Sequence, residues 1–176
     1  MTDIRRKVEE DRGLLKRIQS YIPGFRGYRF REDLRDADRM LRAQLADKFA
    51  KQRKQLEECR SILAQHQSFE ILDGIGGLIN HFKKLEGLIS HAETGYSGLV
   101  SDVTIHEEEL NMLYEYDLRM LELQSSISAD IDDLREGAAN GDTQKVGKMI
   151  ADIKFKAGDF EDQFRRRLRI VEGTEV

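Results

Sequence analysis

The residues able to do chemistry in this chain are four histidines, one cysteine and three short runs of glycine or polar residues. A di-iron helical bundle presents Glu-x-x-His on inward helix faces. The residues three before His66, His81, His91 and His106 are Leu63, Leu78, Leu88 and Val103, so that pattern is missing. His106-Glu107-Glu108-Glu109 lacks the second histidine of a zincin helix. Its acids suit the positive end of a helix dipole instead. Cys59 stands alone, which excludes a disulfide framework and a cysteine-based zinc site. It falls between Leu56 and Leu63 on an apolar ladder and reads as a buried, inert thiol. Gly74-Ile75-Gly76-Gly77 has Ile79 where a dinucleotide fingerprint needs its third glycine, and no strand precedes it. That cluster reads as a helix break or a site of close helix packing. Gly95-Tyr96-Ser97-Gly98 has Leu99 where a nucleophile elbow needs glycine, and reads as an interhelical turn. Tyr114-Glu115-Tyr116-Asp117 is the densest polar and aromatic set, the one a ligand site between subunits of a bundle would use. The simpler expectation is that its acids face solvent while its tyrosines pack at the boundary. No residue is assigned as catalytic, metal-ligating or cofactor-binding, and no cofactor is expected.

Two arginine clusters remain. One runs Arg26, Arg29, Arg31, Arg35, Arg39 and Arg42, with Phe25, Tyr28 and Phe30 interleaved; the other is Arg165, Arg166, Arg167 and Arg169. Arginine beside aromatic side chains can hold phosphates and stack on bases. The overall pI near 5.7 argues against a dedicated nucleic-acid binder. Packing at a helix junction and pairing with acidic segments is the leading reading, with a protein or membrane contact next. The candidate interaction residues are Phe25, Arg26, Tyr28, Arg29, Arg31 and Arg35.

These residues must be positioned by helices. The chain has 176 residues, is 35% charged, and contains one Pro and no Trp. Its net charge of −4 conceals an imbalance: residues 1–60 carry a net +6, residues 61–136 a net −11 and residues 137–176 a net +1. Segments of opposite sign can attract each other within a bundle or across an interface. Ile4, Val8, Leu14, Leu15 and Ile18 recur at helical spacing until Pro23 and Gly24 open a turn. A second ladder, Leu34, Ala37, Leu41, Leu45, Phe49, Leu56, Cys59 and Leu63, is heptad-like, with Gln52 as a polar interruption. Spanning roughly 55 Å at 1.5 Å per residue, such a helix needs a partner along its length.

Leu78, Phe82, Leu85, Leu88 and Ile89 carry a third helix, and Thr104 with Glu107 fits a capping box for a fourth. That fourth helix holds Leu110, Leu113, Met120, Leu121, Ile127, Ile131 and Leu134. Gly137, Asn140 and Gly141 close it, and Asp142 or Thr143 caps a last helix with Val146, Ile150, Ile153, Ala157, Phe160, Phe164 and Leu168. The expected fold is all-α: a single domain over 1–176, an elongated antiparallel bundle of four to five helices with one long coiled-coil-like member. The expected helices span 3–20, 30–66, 69–94, 105–136 and 143–171.

Ile22-Pro23-Gly24-Phe25-Arg26-Gly27-Tyr28 before a long charged helix resembles an uncharacterised family of prokaryotic all-helical proteins. Gly95-Tyr96-Ser97-Gly98-Leu99, leading to Glu107-Glu108-Glu109-Leu110 and Leu113-Tyr114-Glu115-Tyr116-Asp117, is similar to the same family's second landmark. The resemblance covers roughly residues 15–125. It implies a helical fold and assigns no activity. The expected function is a non-enzymatic interaction or scaffold protein with a protein partner or a second copy of itself. The alternatives are a peripheral membrane protein using the first amphipathic helix, and a bundle with a ligand or catalytic site between subunits. Without an apolar leader or a long apolar run, the expected location is the cytoplasm or the membrane periphery.

Overall fold

A computed structural model describes the backbone of residues 2–27, 31–65, 69–92 and 107–171, and the side chains of 12–27, 36–65, 71–92 and 109–171. Five α-helices follow in order: α1 (Thr2–Tyr21), α2 (Arg31–Gln65), α3 (Phe69–His91), α4 (Glu107–Ala139) and α5 (Thr143–Val171). The described residues contain no strand, and none of their helices is long and apolar enough to cross a membrane. Each expected helix overlaps one of these. The Thr104–Glu107 capping box and the Gly95–Leu99 turn lie outside the described residues.

Local chemistry explains the visible ends. After α1, Gly24 and Gly27 adopt φ of 88° and 84°, a region L side chains rarely enter. The Phe25 amide donates to the Ile22 carbonyl at 3.2 Å, and Gln19 Nε2 donates to the Phe25 carbonyl at 2.8 Å. Gly27 is fixed by space as well, because a Cβ there would stand 2.6 Å from the Tyr114 hydroxyl. At the end of α4, the Asp142 amide donates to the Gly137 carbonyl and the Gly141 amide to the Ala138 carbonyl. With Gly141 at φ 69°, this is a Schellman closure. Asp142, rather than Thr143, then caps α5, its Oδ1 accepting from the Lys145 amide at 2.9 Å.

The Gly74–Gly77 cluster breaks nothing, since α3 runs through it. Each glycine weakens a helix by about 1 kcal/mol relative to alanine, while Ile75, Leu78, Phe82, Leu85 and Ile89 bury one continuous stripe. Burial of that stripe is the larger effect, at roughly 1.5–3 kcal/mol per side chain. Gly74 faces α5, where an added Cβ would meet Ile150 at 3.4 Å, an ordinary van der Waals contact.

Four helices form a ring in which α2 touches α3 and α4, and α5 touches α3 and α4, while α1 lies along α4. Consecutive helices run antiparallel. Arg42 and Arg53 of α2 meet Ile89 and Glu86 of α3. Lys145, Lys156 and Asp159 of α5 meet Glu136, Asp130 and Arg119 of α4. The pair α3 and α4 shares no packed side, although the two are sequential; they stand on a diagonal. Consequently α3 lies beside α5 in parallel, with Gly74 near Ile150 and His81 bonded to Glu161.

The core is centred on Phe49. Its ring meets Phe82 at 5.2 Å and Phe160 at 4.8 Å, both edge-on, an arrangement that suits aromatic quadrupoles. It thereby joins α2 to α3 and, across the ring, to α5. The α2 ladder is buried from Ala37 to Leu63. Gln52, its polar interruption, is 3% exposed, and neither its Nε2 nor its Oε1 has a hydrogen-bond partner.

Candidate functional site

The turn after α1 returns the chain against the start of α2 and leaves a cleft of about 630 Å³ between them. Phe25 and Ala37 line it from the core side, while Arg26, Asp36, Arg39 and Met40 bring it to the surface. Helical spacing accounts for the split along α2. Positions 36, 39, 40 and 43 look outward, whereas 38, 41, 42 and 45 look into the bundle. Met40 is 37% exposed, one of three large apolar side chains left in water among the described residues. Among the described residues, the guanidinium groups of Arg26 and Arg39 form no ion pair. The cleft therefore combines an apolar floor with a rim of two cations and one carboxylate, Asp36, none of them ion-paired among the described residues.

Behind its wall, α2 presents the opposite chemistry. Asp38 and Arg42 are buried, together with Asp117 of α4 and Arg167 of α5, which is fully enclosed. Arg167 Nη1 donates to Asp38 Oδ1 at 2.5 Å and Arg167 Nε to Asp117 Oδ1 at 2.5 Å. Arg42 Nε donates to Asp38 Oδ2 at 2.7 Å, and its Nη1 reaches the Ile89 carbonyl of α3 at 3.3 Å. Among the described residues the network sets two carboxylates against two guanidinium groups. Geometry of this kind is what offsets the desolvation of buried ions. The network bonds all four ring helices together next to the cleft.

A second cluster clasps α3 to α5. Glu161 accepts from Lys84 Nζ at 2.8 Å and from Arg165 Nη2 at 2.8 Å, and its other oxygen lies 3.1 Å from His81 Nε2. Burial alone would raise the Glu161 pKa; the bonds from Lys84, Arg165 and His81 together outweigh it and hold the carboxyl down to about 2. Cys59 is pushed the other way, up to about 11, chiefly by burial, a poor setting for a nucleophile.

The arginine and tyrosine clusters of the sequence are dispersed by the helix period. Phe25 is 1% exposed and belongs to the core, so its contribution is to the cleft floor and not to an exposed contact surface. Arg26 is exposed at the rim. Tyr28 and Arg29 lie outside the described residues; Arg31 and Arg35 fall within the first turns of α2, their side chains likewise outside. Of the tetrad at 114–117, Tyr114 and Asp117 are buried, Tyr116 is partly buried and Glu115 is exposed. It does not form one site.

Among Arg165, Arg166 and Arg167, the first pairs with Glu161, the second is exposed and the third is enclosed. Leu168, placed on the α5 ladder by its spacing, is only partly buried; the inward seat belongs to Arg167. Sequence reasoning missed this network. Its one local signal was Asp38 four residues before Arg42 on the same helix.

The first and middle segments of opposite charge do meet, through Arg17 with Glu122 and Arg53 with Glu86. More of the acid on α4 is met by α5, at Asp130 with Lys156 and Glu136 with Lys145. Among the described residues no cluster of three or more His, Cys, Asp or Glu could hold a metal ion. In comparisons with known proteins, the chain matches no family model, no curated protein and no solved structure.

Proposed function

We propose that this protein is a non-enzymatic scaffold whose ring of helices supports the cleft between the α1–α2 turn and α2, where it takes an acidic, amphipathic segment of a protein partner. The carrying observation is the pairing of uncommitted Arg26 and Arg39 with exposed Met40 at the rim of an apolar cavity of about 630 Å³. An apolar anchor in the cavity would supply affinity, and carboxylates near the two arginines would supply orientation and rate of encounter. The net +6 of residues 1–60 favours an acidic partner over a basic one. The buried network fixes the α2 wall, so the cleft is held in shape before anything binds, which lowers the ordering entropy of association.

Quantitative affinity purification from native cells, comparing the unaltered chain with Arg26→Glu/Arg39→Glu, tests this reading. A stoichiometric partner with an acidic binding segment should be recovered by the unaltered chain and weakened roughly tenfold or more by the double reversal. Its affinity for the unaltered chain should also fall as salt rises. A partner held equally by both forms would sink the proposal, provided the variant retains its helical circular dichroism.

A further inference from the structure

The outer face of α5, away from both α3 and α4, carries exposed Lys148, Ala151, Phe155, Asp162 and Arg166. Phe155 is 78% exposed, about twice as much as Met40 or Met112. A single apolar side chain in water is ordinary; the spacing of the charges around this one is not. Lys148 lies seven residues before Phe155 and Asp162 seven residues after it. Seven residues are two helical turns to within about 20°, so the three side chains lie along one line. Neither Lys148 nor Asp162 forms an ion pair among the described residues. By contrast, Lys145, Lys156, Asp159, Glu161 and Arg165 of the same helix are all paired.

We propose that this line is a self-association surface, on which a second copy of the chain packs its own α5 antiparallel about a two-fold axis through Phe155. Such an axis places each residue before Phe155 opposite the residue equally far after it. Lys148 then faces Asp162 of the second copy, and Asp162 faces Lys148, so one pair of complementary charges occurs twice, as an isologous interface requires. The two Phe155 rings meet at the centre, with Ala151 and Gly158 beside them leaving room for the approach. A parallel arrangement would instead set Lys148 on Lys148 and Asp162 on Asp162, so charge selects the antiparallel one. This face is on α5, which lies diagonally across the ring from α2 and its cleft; self-association and partner capture are therefore separable.

The test is zero-length carbodiimide cross-linking of the full chain with peptide mapping, alongside sedimentation over a wide range of concentration. Lys148 and Asp162 are fourteen residues apart on one rigid helix, about 21 Å at 1.5 Å per residue. An amide between them can form only across two copies. A dimer carrying that cross-link is the expected result. Lys148→Glu and Asp162→Lys should each weaken dimerisation roughly tenfold by opposing like charges, while Lys148→Glu/Asp162→Lys restores it. These are solvent-exposed positions, so folding should be unaffected. A chain that stays monomeric throughout, a dimer without the 148–162 cross-link, or a double variant as weak as the singles would each overturn the proposal. Arg26→Glu/Arg39→Glu should leave the dimer intact, which separates failure here from failure of the scaffold reading.

Discussion

Arg167 shows how a single side chain can take a role opposite to its usual one. Arginine is almost never enclosed unless paired, yet here it occupies a core seat one turn beyond Phe164. Its two carboxylate partners come from 50 and 129 residues away in sequence. Nothing within the run 165–169 distinguishes the arginine that turns inward from its exposed neighbour, so the spacing of Asp38 and Arg42 was the network's one signal in the sequence. Gln52, by contrast, was legible, because a helix stripe predicts burial whatever residue occupies the seat. Removing Arg167 leaves Asp38 and Asp117 without their shared cation. Arg167→Ala should therefore destabilise the fold by about 3–5 kcal/mol, as for other broken buried pairs. Urea unfolding of the variant checks this, and a midpoint close to the unaltered chain's would show that water replaces the guanidinium freely.

Elements were the most legible level, because helix ends are chemistry. Pro23-Gly24, Gly141 and Asp142 each act where their local preferences put them. The one ambiguous element, α3, resolves in favour of its apolar stripe over its glycines. What holds α3 to α5 titrates. Glu161 is held near pKa 2 in the folded chain, against about 4.3 for an unperturbed glutamate. A carboxyl with a lowered folded pKa contributes stability above its unfolded value and loses it as pH falls toward the folded one. The clasp should thus be at full strength at neutral pH and weaken between about pH 4.5 and pH 2. Glu161→Gln should lower stability by about 1 kcal/mol at pH 7, a modest figure because Lys84 is mostly in water. The gap between variant and unaltered chain should narrow below about pH 4.5 and close near pH 2. A gap that persists at pH 2 would show the clasp acting through packing alone.

At the scale of the molecule, apolar periodicity and short loops gave an all-helical bundle with consecutive helices reversed, and the structure has that form. Which helices become neighbours was not readable. The chain between α3 and α4 is long enough to reach either an adjacent or a diagonal seat, and periodicity says nothing about which is taken. Side-chain complementarity decides: α4 finds its charge partners on α5, and α3 finds Glu161 there as well.

One consequence concerns synthesis. The chain emerges from its N-terminus, and α5, the last helix, carries the arginine that neutralises carboxylates on α2 and α4. Until residue 167 has been made, a nascent bundle closing around Asp38 and Asp117 lacks the guanidinium that bridges the two carboxylates. The bundle should therefore close cooperatively only once α5 is present. A fragment ending at Asn140 should show weak, non-cooperative helicity and recover cooperative unfolding when a separate peptide of residues 141–176 is added. Equal recovery with a peptide bearing methionine in place of Arg167 would assign the effect to apolar surface alone.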